Sequence, residues 1–136
     1  MLFRSTWDWS QRTILAIDTI SCPQDQLGDV TMSRELCKAW TGFRSVSGRA
    51  ISTGHWGCGA FGGDPNIKCL VQVIAACLAV NRLDFYCFNA FYNRLSQALL
   101  KLKGQTVEWL WEKLVLFRSG QHGDRQNILD FIAKAS

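Results

Sequence analysis

The segment Thr53-Gly54-His55-Trp56-Gly57-Cys58-Gly59-Ala60-Phe61-Gly62-Gly63-Asp64 constrains this chain more than any other. It sets five glycines between a short strand candidate, Arg49–Ser52, and a helix candidate that opens on Pro65. Glycines there let the backbone turn tightly and approach a ligand closely. Successive unengaged N–H groups and the positive end of the following helix together form a cradle for an anion. In an open α/β sheet such a loop stands at the carboxyl end of a strand, where ligands bind. Composition alone leaves a purely structural glycine-rich turn open beside the phosphate cradle. The spacing is not the Walker pattern, because no Lys-Ser or Lys-Thr follows the glycines. Nor is it the GxGxxG fingerprint of dinucleotide folds in its usual place.

The flanking sequence alternates between strand and helix patterns. Ile14–Ile17 is a continuous apolar run ended by Asp18, the pattern of a strand buried on both faces. Pro23 and Gly28 mark a loop. Thr31–Trp40 reads as a helix, with Thr31 or Ser33 as N-cap and Gly42 as its stop. Asp64 is the expected cap, and Pro65 the first residue, of a helix reaching Val80. Its Ile67, Leu70, Val71, Ile74, Ala75 and Leu78 recur at helical spacing. Leu83–Phe88 is a third strand candidate. Phe91–Lys101 and Thr106–Phe117 are amphipathic helices separated by Gly104. Gly120–Gly123 is a loop and Gln126–Ala135 a weaker terminal helix. The order β-α-β-α-β-α-α argues for an α/β fold with a mostly parallel sheet and flanking helices. Three strands leave long edges open to pairing. Either further strands complete the sheet, or the chain is part of a larger domain.

At 136 residues the chain has material for one domain. Its 48% hydrophobic and 19% charged residues give a globular rather than a disordered balance. The formal charge of +4 is compatible with a polyanionic ligand without establishing one. Six cysteines, Cys22, Cys37, Cys58, Cys69, Cys77 and Cys87, form no CxxC pair. Met1–Ser10 carries no apolar run of signal-peptide length. Free thiols in a reducing compartment are the expectation. His55 and His122 lack metal-ligand spacing, so neither a zinc site nor a cofactor is expected. The apolar stretch Leu70–Val80 is too short to cross a bilayer and reads as a buried helix, with no membrane partner.

The string Thr-Gly-x-Trp-Gly-Cys-Gly-Ala-Phe-Gly-Gly-Asp resembles the signature of the poly(ADP-ribose) glycohydrolase family. Ile14-Leu15-Ala16-Ile17-Asp18 is similar to that family's strand ending in Ala-Ile-Asp. Arg34-Glu35-Leu36-Cys37-Lys38-Ala39-Trp40-Thr41-Gly42-Phe43 resembles its next segment, and Lys68, Gln72 and Leu83–Phe88 also fit. The resemblance covers about residues 11–118. It implies a macrodomain-like three-layer fold, present here in part, with residues 1–136 forming the C-terminal portion of one catalytic domain. It implies binding of poly(ADP-ribose) or ADP-ribose, and of ADP-ribosylated proteins, with no direct nucleic-acid contact expected. It implies a nuclear or cytoplasmic setting and a part in reversing ADP-ribosylation in the DNA damage response. By position, Gly57, Cys58, Gly59, Ala60, Phe61 and Gly62 would wrap the diphosphate, with Phe61 toward the distal part of the ligand. Thr53, Gly54 and His55 would line the site, and Phe88 would stack on the adenine. Without the resemblance, Phe88 reads as a core aromatic.

The resemblance also marks what is missing. Glycoside cleavage needs a carboxylic acid to protonate the departing oxygen. The family supplies it from a triple-glycine loop followed by Gln-Glu-Glu, upstream of the Ala-Ile-Asp strand. This sequence has no three-glycine run and no Gln-Glu or Glu-Glu dipeptide, and its glutamates are Glu35, Glu108 and Glu112. The family's tyrosine clamp has no counterpart, and His55 stands where the family usually has Asn. Asp64 is expected as a helix cap, and Asp18 and Asp84 as sheet-border residues. No catalytic residue is therefore assigned. Three readings follow: part of an active glycohydrolase, a non-catalytic ADP-ribose-binding module, or a decayed homologue acting through a partner chain.

Overall fold

The computed structural model describes residues 12–21, 26–120 and 127–136. Within them the chain order is α1 (Asp29–Arg44), β1 (Ala50–Thr53), α2 (Pro65–Leu78), β2 (Arg82–Phe85), α3 (Asn89–Leu102), α4 (Val107–Ser119) and α5 (Ile128–Lys134). β1 and β2 pair in parallel, from Ala50 opposite Arg82 to Thr53 opposite Phe85. Parallel neighbours require a long crossover, and α2 supplies it.

α2 begins where local chemistry dictates. The Asp64 carboxylate accepts the Asn66 amide at 2.7 Å and the Ile67 amide at 3.4 Å, and Pro65 needs no donor at the first position. The helix is apolar around most of its circumference and is buried on two sides, as such a helix must be. Cys69, Leu70 and Ile74 join one core with Leu95 and Ala98 of α3, Leu110 and Leu114 of α4, and Leu129 and Ile132 of α5. Val71, Ala75 and Ala76 join a second core with Ala39 and Phe43 of α1 and Ile51 of β1.

Four expectations from the sequence are corrected. Ile14–Ile17 belongs to no strand among the described residues. Leu15 and Ile17 pack against the second core, but Ile14 is 77% exposed and Ala16 is exposed too. The apolar run is therefore covered on one face, and no backbone among the described residues offers it a ladder. Gly42 does not stop α1, which starts earlier and continues to Arg44. It admits Ile17 instead, whose Cδ1 lies 2.5 Å from where a Cβ would stand. α2 ends at Leu78, before Val80, which adopts a left-handed φ of 56°. β2 ends at Phe85, short of Phe88. The Tyr86 amide still reaches the Thr53 carbonyl at 2.9 Å, but beyond Thr53 the neighbouring chain has turned into the glycine loop and offers no further ladder.

The two amphipathic helices stand as α3 and α4, divided at Gly104 (φ 85°), with the Thr106 hydroxyl capping α4. The terminal helix is α5, capped by the Asn127 side chain. Met1–Ser10, Cys22, Pro23, Gly123, His122 and Gln126 lie outside the described residues. No helix among the described residues is long and apolar enough to cross a membrane.

Candidate functional site

The glycine loop leaves the end of β1 and enters the N-terminus of α2, and the buried side chain of Gln72 holds its strand end in place. Gln72, 1% exposed, accepts the Thr53 hydroxyl at 2.6 Å and donates to the Gly54 carbonyl at 3.1 Å. A Cβ on Gly54 would lie 3.1 Å from the Tyr86 carbonyl, so the strand exit is a close backbone approach. Farther along, Gly57 takes a φ of 73°, and a Cβ there would stand 2.7 Å from the Thr19 hydroxyl. The Gly63 amide donates to the Gly57 carbonyl at 2.9 Å and closes the loop at its base. A Cβ on Gly63 would meet that same carbonyl at 2.7 Å.

Between these anchors the loop opens outward. The Cys58 amide donates to the His55 carbonyl and the Gly62 amide to the Gly59 carbonyl. The amides of Gly57, Gly59, Ala60 and Phe61 donate to no acceptor among the described residues. Gly59, Ala60, Phe61 and Gly62 are exposed, and no atom lies within 4 Å of a Cβ built on Gly59 or Gly62. A run of unengaged amides beside a helix N-terminus is the local chemistry of an anion site.

An aromatic group borders the loop. His55 lies 5.0 Å from Phe91, 5.8 Å from Phe85 and 5.9 Å, edge-on, from Phe88 between ring centroids. Its Nε2 is buried with no hydrogen-bond partner among the described residues. Such an atom calls for one. Phe88 is 80% exposed at the cap of α3 and is no core residue, contrary to what it reads as without the family resemblance. Phe61 is 48% exposed on the loop itself.

Beneath the loop lies a charged pair that motif matching alone did not single out. Glu35 of α1 and Lys68 of α2 are 4% and 2% exposed and form a salt bridge. Glu35 also accepts the Thr19 hydroxyl and the Ile20 amide, each at 2.8 Å. The Lys68 ammonium reaches the Thr19 hydroxyl and stands 4.3 Å from the centre of the Trp56 ring. Trp56 in turn donates from Nε1 to the Ile17 carbonyl at 3.0 Å. The loop floor is thus fastened to both helices and to the chain before α1. The available signal was a lysine on an apolar helix face, since Lys68 lies among Ile67, Leu70 and Val71.

The carboxylates described around the loop are all engaged. Asp64 caps α2. Asp18 pairs with Lys38 and Arg34, and the Lys38 hydrogen bond holds its pKa below the usual carboxylate value. Asp84 takes Arg82 through two bonds of 3.1 and 2.8 Å. Burial, with Asp64 nearby, raises the Cys58 thiol to about 11, so it is protonated and a poor nucleophile at neutral pH. No group of three potential metal-binding side chains occurs among the described residues.

A parallel α/β unit with an open glycine loop between strand end and helix start defines a domain of the macrodomain kind. A family model described as poly(ADP-ribose) glycohydrolase, macro domain fold, matches residues 2–94. The chain belongs to the poly(ADP-ribose) glycohydrolase family. It is 38% identical over 98 residues to poly(ADP-ribose) glycohydrolase 1 of Caenorhabditis elegans, covering 64% of this chain and 12% of that protein. It is 58% identical over 60 residues to poly(ADP-ribose) glycohydrolase 1 of Arabidopsis thaliana, covering 44% and 10%. Against the probable poly(ADP-ribose) glycohydrolase 2 of the same plant it is 39% identical over 74 residues, covering 51% and 14%. The chain therefore spans only a small part of the length of these relatives.

Proposed function

We propose that the chain grips the diphosphate of ADP-ribose, free or within poly(ADP-ribose), on the amides of Gly57, Gly59, Ala60 and Phe61. The observation that carries this reading is that these amides have no acceptor among the described residues while hydrogen bonds anchor both loop ends. Phe88 offers an exposed ring for the adenine, and the orphaned His55 Nε2 offers a hydrogen bond to the ligand. The names of the relatives support the substrate class. Isothermal calorimetry with ADP-ribose tests it: binding is expected, and no heat at millimolar ligand ends the reading.

The same proposal holds that the isolated chain binds without cleaving. Departure of a ribose oxygen needs a protonated acid beside it. Asp18, Asp64, Asp84 and Glu35 are committed to ion pairs or a helix cap. Release of ADP-ribose from poly(ADP-ribose) by the purified chain, abolished by Gly59→Trp, would overturn it. The ligand would be met on ADP-ribosylated proteins in the nucleus or cytoplasm, which fractionation of the tagged chain tests.

A further inference from the structure

Lys68 and Gln72 stand about one turn apart on α2 and share a face of the helix. Gln72 donates to the Lys68 carbonyl at 3.3 Å as well as to the Gly54 carbonyl. One stripe of α2 therefore meets the loop twice, at the strand end through Gln72 and at the base through Lys68. The Lys68 stem reaches that base directly. Its Cε lies 3.0 Å from where a Cβ on Gly63 would stand, in the same crowded space as the Gly57 carbonyl that accepts the Gly63 amide. A lysine ammonium has three protons to place. The Glu35 carboxylate, the Thr19 hydroxyl and the face of the Trp56 ring supply three partners. Thr19 is also the group that crowds Gly57, 2.7 Å from a Cβ there. With its donors engaged and its charge offset by Glu35, this buried lysine has nothing left to give a ligand.

We propose that Lys68 is a positioning residue of the diphosphate site: it fixes the spacing of the loop base and leaves the ligand to the backbone amides above it. The proposal rests on the diphosphate reading for its ligand, and on the contacts of Lys68 for the positioning. The amides of Gly57, Gly59, Ala60 and Phe61 lie on the span from Gly57 to Gly63. Their convergence on one anion depends on how those two glycines are held together. The hydrogen bond between them is one restraint. The lysine stem against Gly63, the Thr19 hydroxyl against Gly57 and the ammonium over Trp56 are three more, and Lys68 takes part in each. A loop ordered before the ligand arrives spares the cost of ordering it on binding. Loosening the base should therefore weaken binding without removing any ligand contact.

The test uses the full chain and the double variant Glu35→Leu with Lys68→Met, which removes both charges together and strands neither. Amide hydrogen exchange is read without ligand at Gly63, which bonds to the Gly57 carbonyl, and at Tyr86, which bonds to the Thr53 carbonyl outside the network. Exchange at Gly63 is expected to quicken by about tenfold or more relative to Tyr86. A role in stability alone would quicken both alike or neither, and either result overturns the proposal. If the double variant does not fold, Thr19→Val decides in the same way. It keeps the shape of the side chain and removes the hydroxyl between Lys68 and Gly57, so Gly63 is again expected to quicken against Tyr86. Calorimetry with ADP-ribose is the second arm. The folded variant is expected to bind about tenfold more weakly than the parent chain, and equal affinity overturns the proposal. A parent chain that binds no ADP-ribose ends the diphosphate reading instead, while exchange at Gly63 still decides whether Lys68 sets the loop.

Discussion

Lys68 and Glu35 form a buried salt bridge directly under the glycine loop, tying α2 to α1 at the point where the loop closes. Removing one partner of a buried pair strands the other charge, at a cost of about 3–5 kcal/mol. Glu35→Ala and Lys68→Ala should each destabilise the chain by about that much in urea unfolding. Replacing both, as Glu35→Leu with Lys68→Met, should recover a large part of the loss. A double variant as unstable as the sum of the singles would show that the two residues act separately.

The same lysine gives the chain a pH signature. Burial lowers its pKa from 10.5 to about 8, so the folded chain releases this proton before the unfolded chain does. The unfolded state then holds more protons between about pH 8 and 10.5, and stability rises with pH in that window. Two thiols, one half-buried and one buried, oppose it. Cys58 and Cys69 are raised from 9.0 to about 11 and about 12, so above pH 9 the unfolded chain loses protons that the folded chain keeps. Stability should therefore climb from pH 8 to about 9 and then fall. Lys68→Met should remove the climb and keep the fall, measured as urea midpoints across the series.

Gly57 and Gly59 should respond differently to alanine. At Gly57 the side chain meets Thr19 and the left-handed backbone is unfavourable for any L residue. Gly57→Ala should cost about 2–4 kcal/mol, combining a left-handed penalty with overpacking, and should abolish ADP-ribose binding. Gly59→Ala adds a methyl to open space and should leave stability within about 0.5 kcal/mol. Thermal unfolding of both variants decides.

Phe88→Ala separates stacking from packing. At 80% exposure the ring contributes little to the fold, so stability should stay within about 0.5 kcal/mol. If the adenine stacks on it, ADP-ribose affinity should fall by about tenfold, equivalent to about 1.4 kcal/mol. Unchanged calorimetry would remove Phe88 from the site.

Thiol reactivity offers a check that needs no ligand. Cys37 and Cys77 are exposed, whereas Cys58 and Cys69 are held protonated by burial. Iodoacetamide at pH 8 should label the first two quickly and the other two only after unfolding, as mass spectrometry would show.

What the sequence made legible follows from the range of each interaction. Asp64 and Pro65 announce the start of α2 through bonds spanning two or three residues, and the structure has them there. The glycine loop was legible for the same reason, since left-handed backbone at Gly57 and Gly62 favours glycine at those positions. Ile14–Ile17 was misread because strand identity depends on a partner, and apolarity alone says nothing of whether one is present. Gly42 was misread because the close approach of Ile17 is a contact between residues far apart in sequence. The buried pair of Glu35 and Lys68 was half visible: each charge sat on a helix, but only the packing of α1 on α2 brought them together.

α2 has a consequence for how this chain comes apart. With Leu70 and Ile74 in one core and Val71 and Ala75 in the other, neither core keeps its wall if the helix unwinds. Heat or denaturant should meet a single cooperative melting unit rather than two separable ones. Damage far from the loop, at Leu114 or Phe43 for instance, should lower occupancy of the proposed diphosphate site before any contact there has been altered.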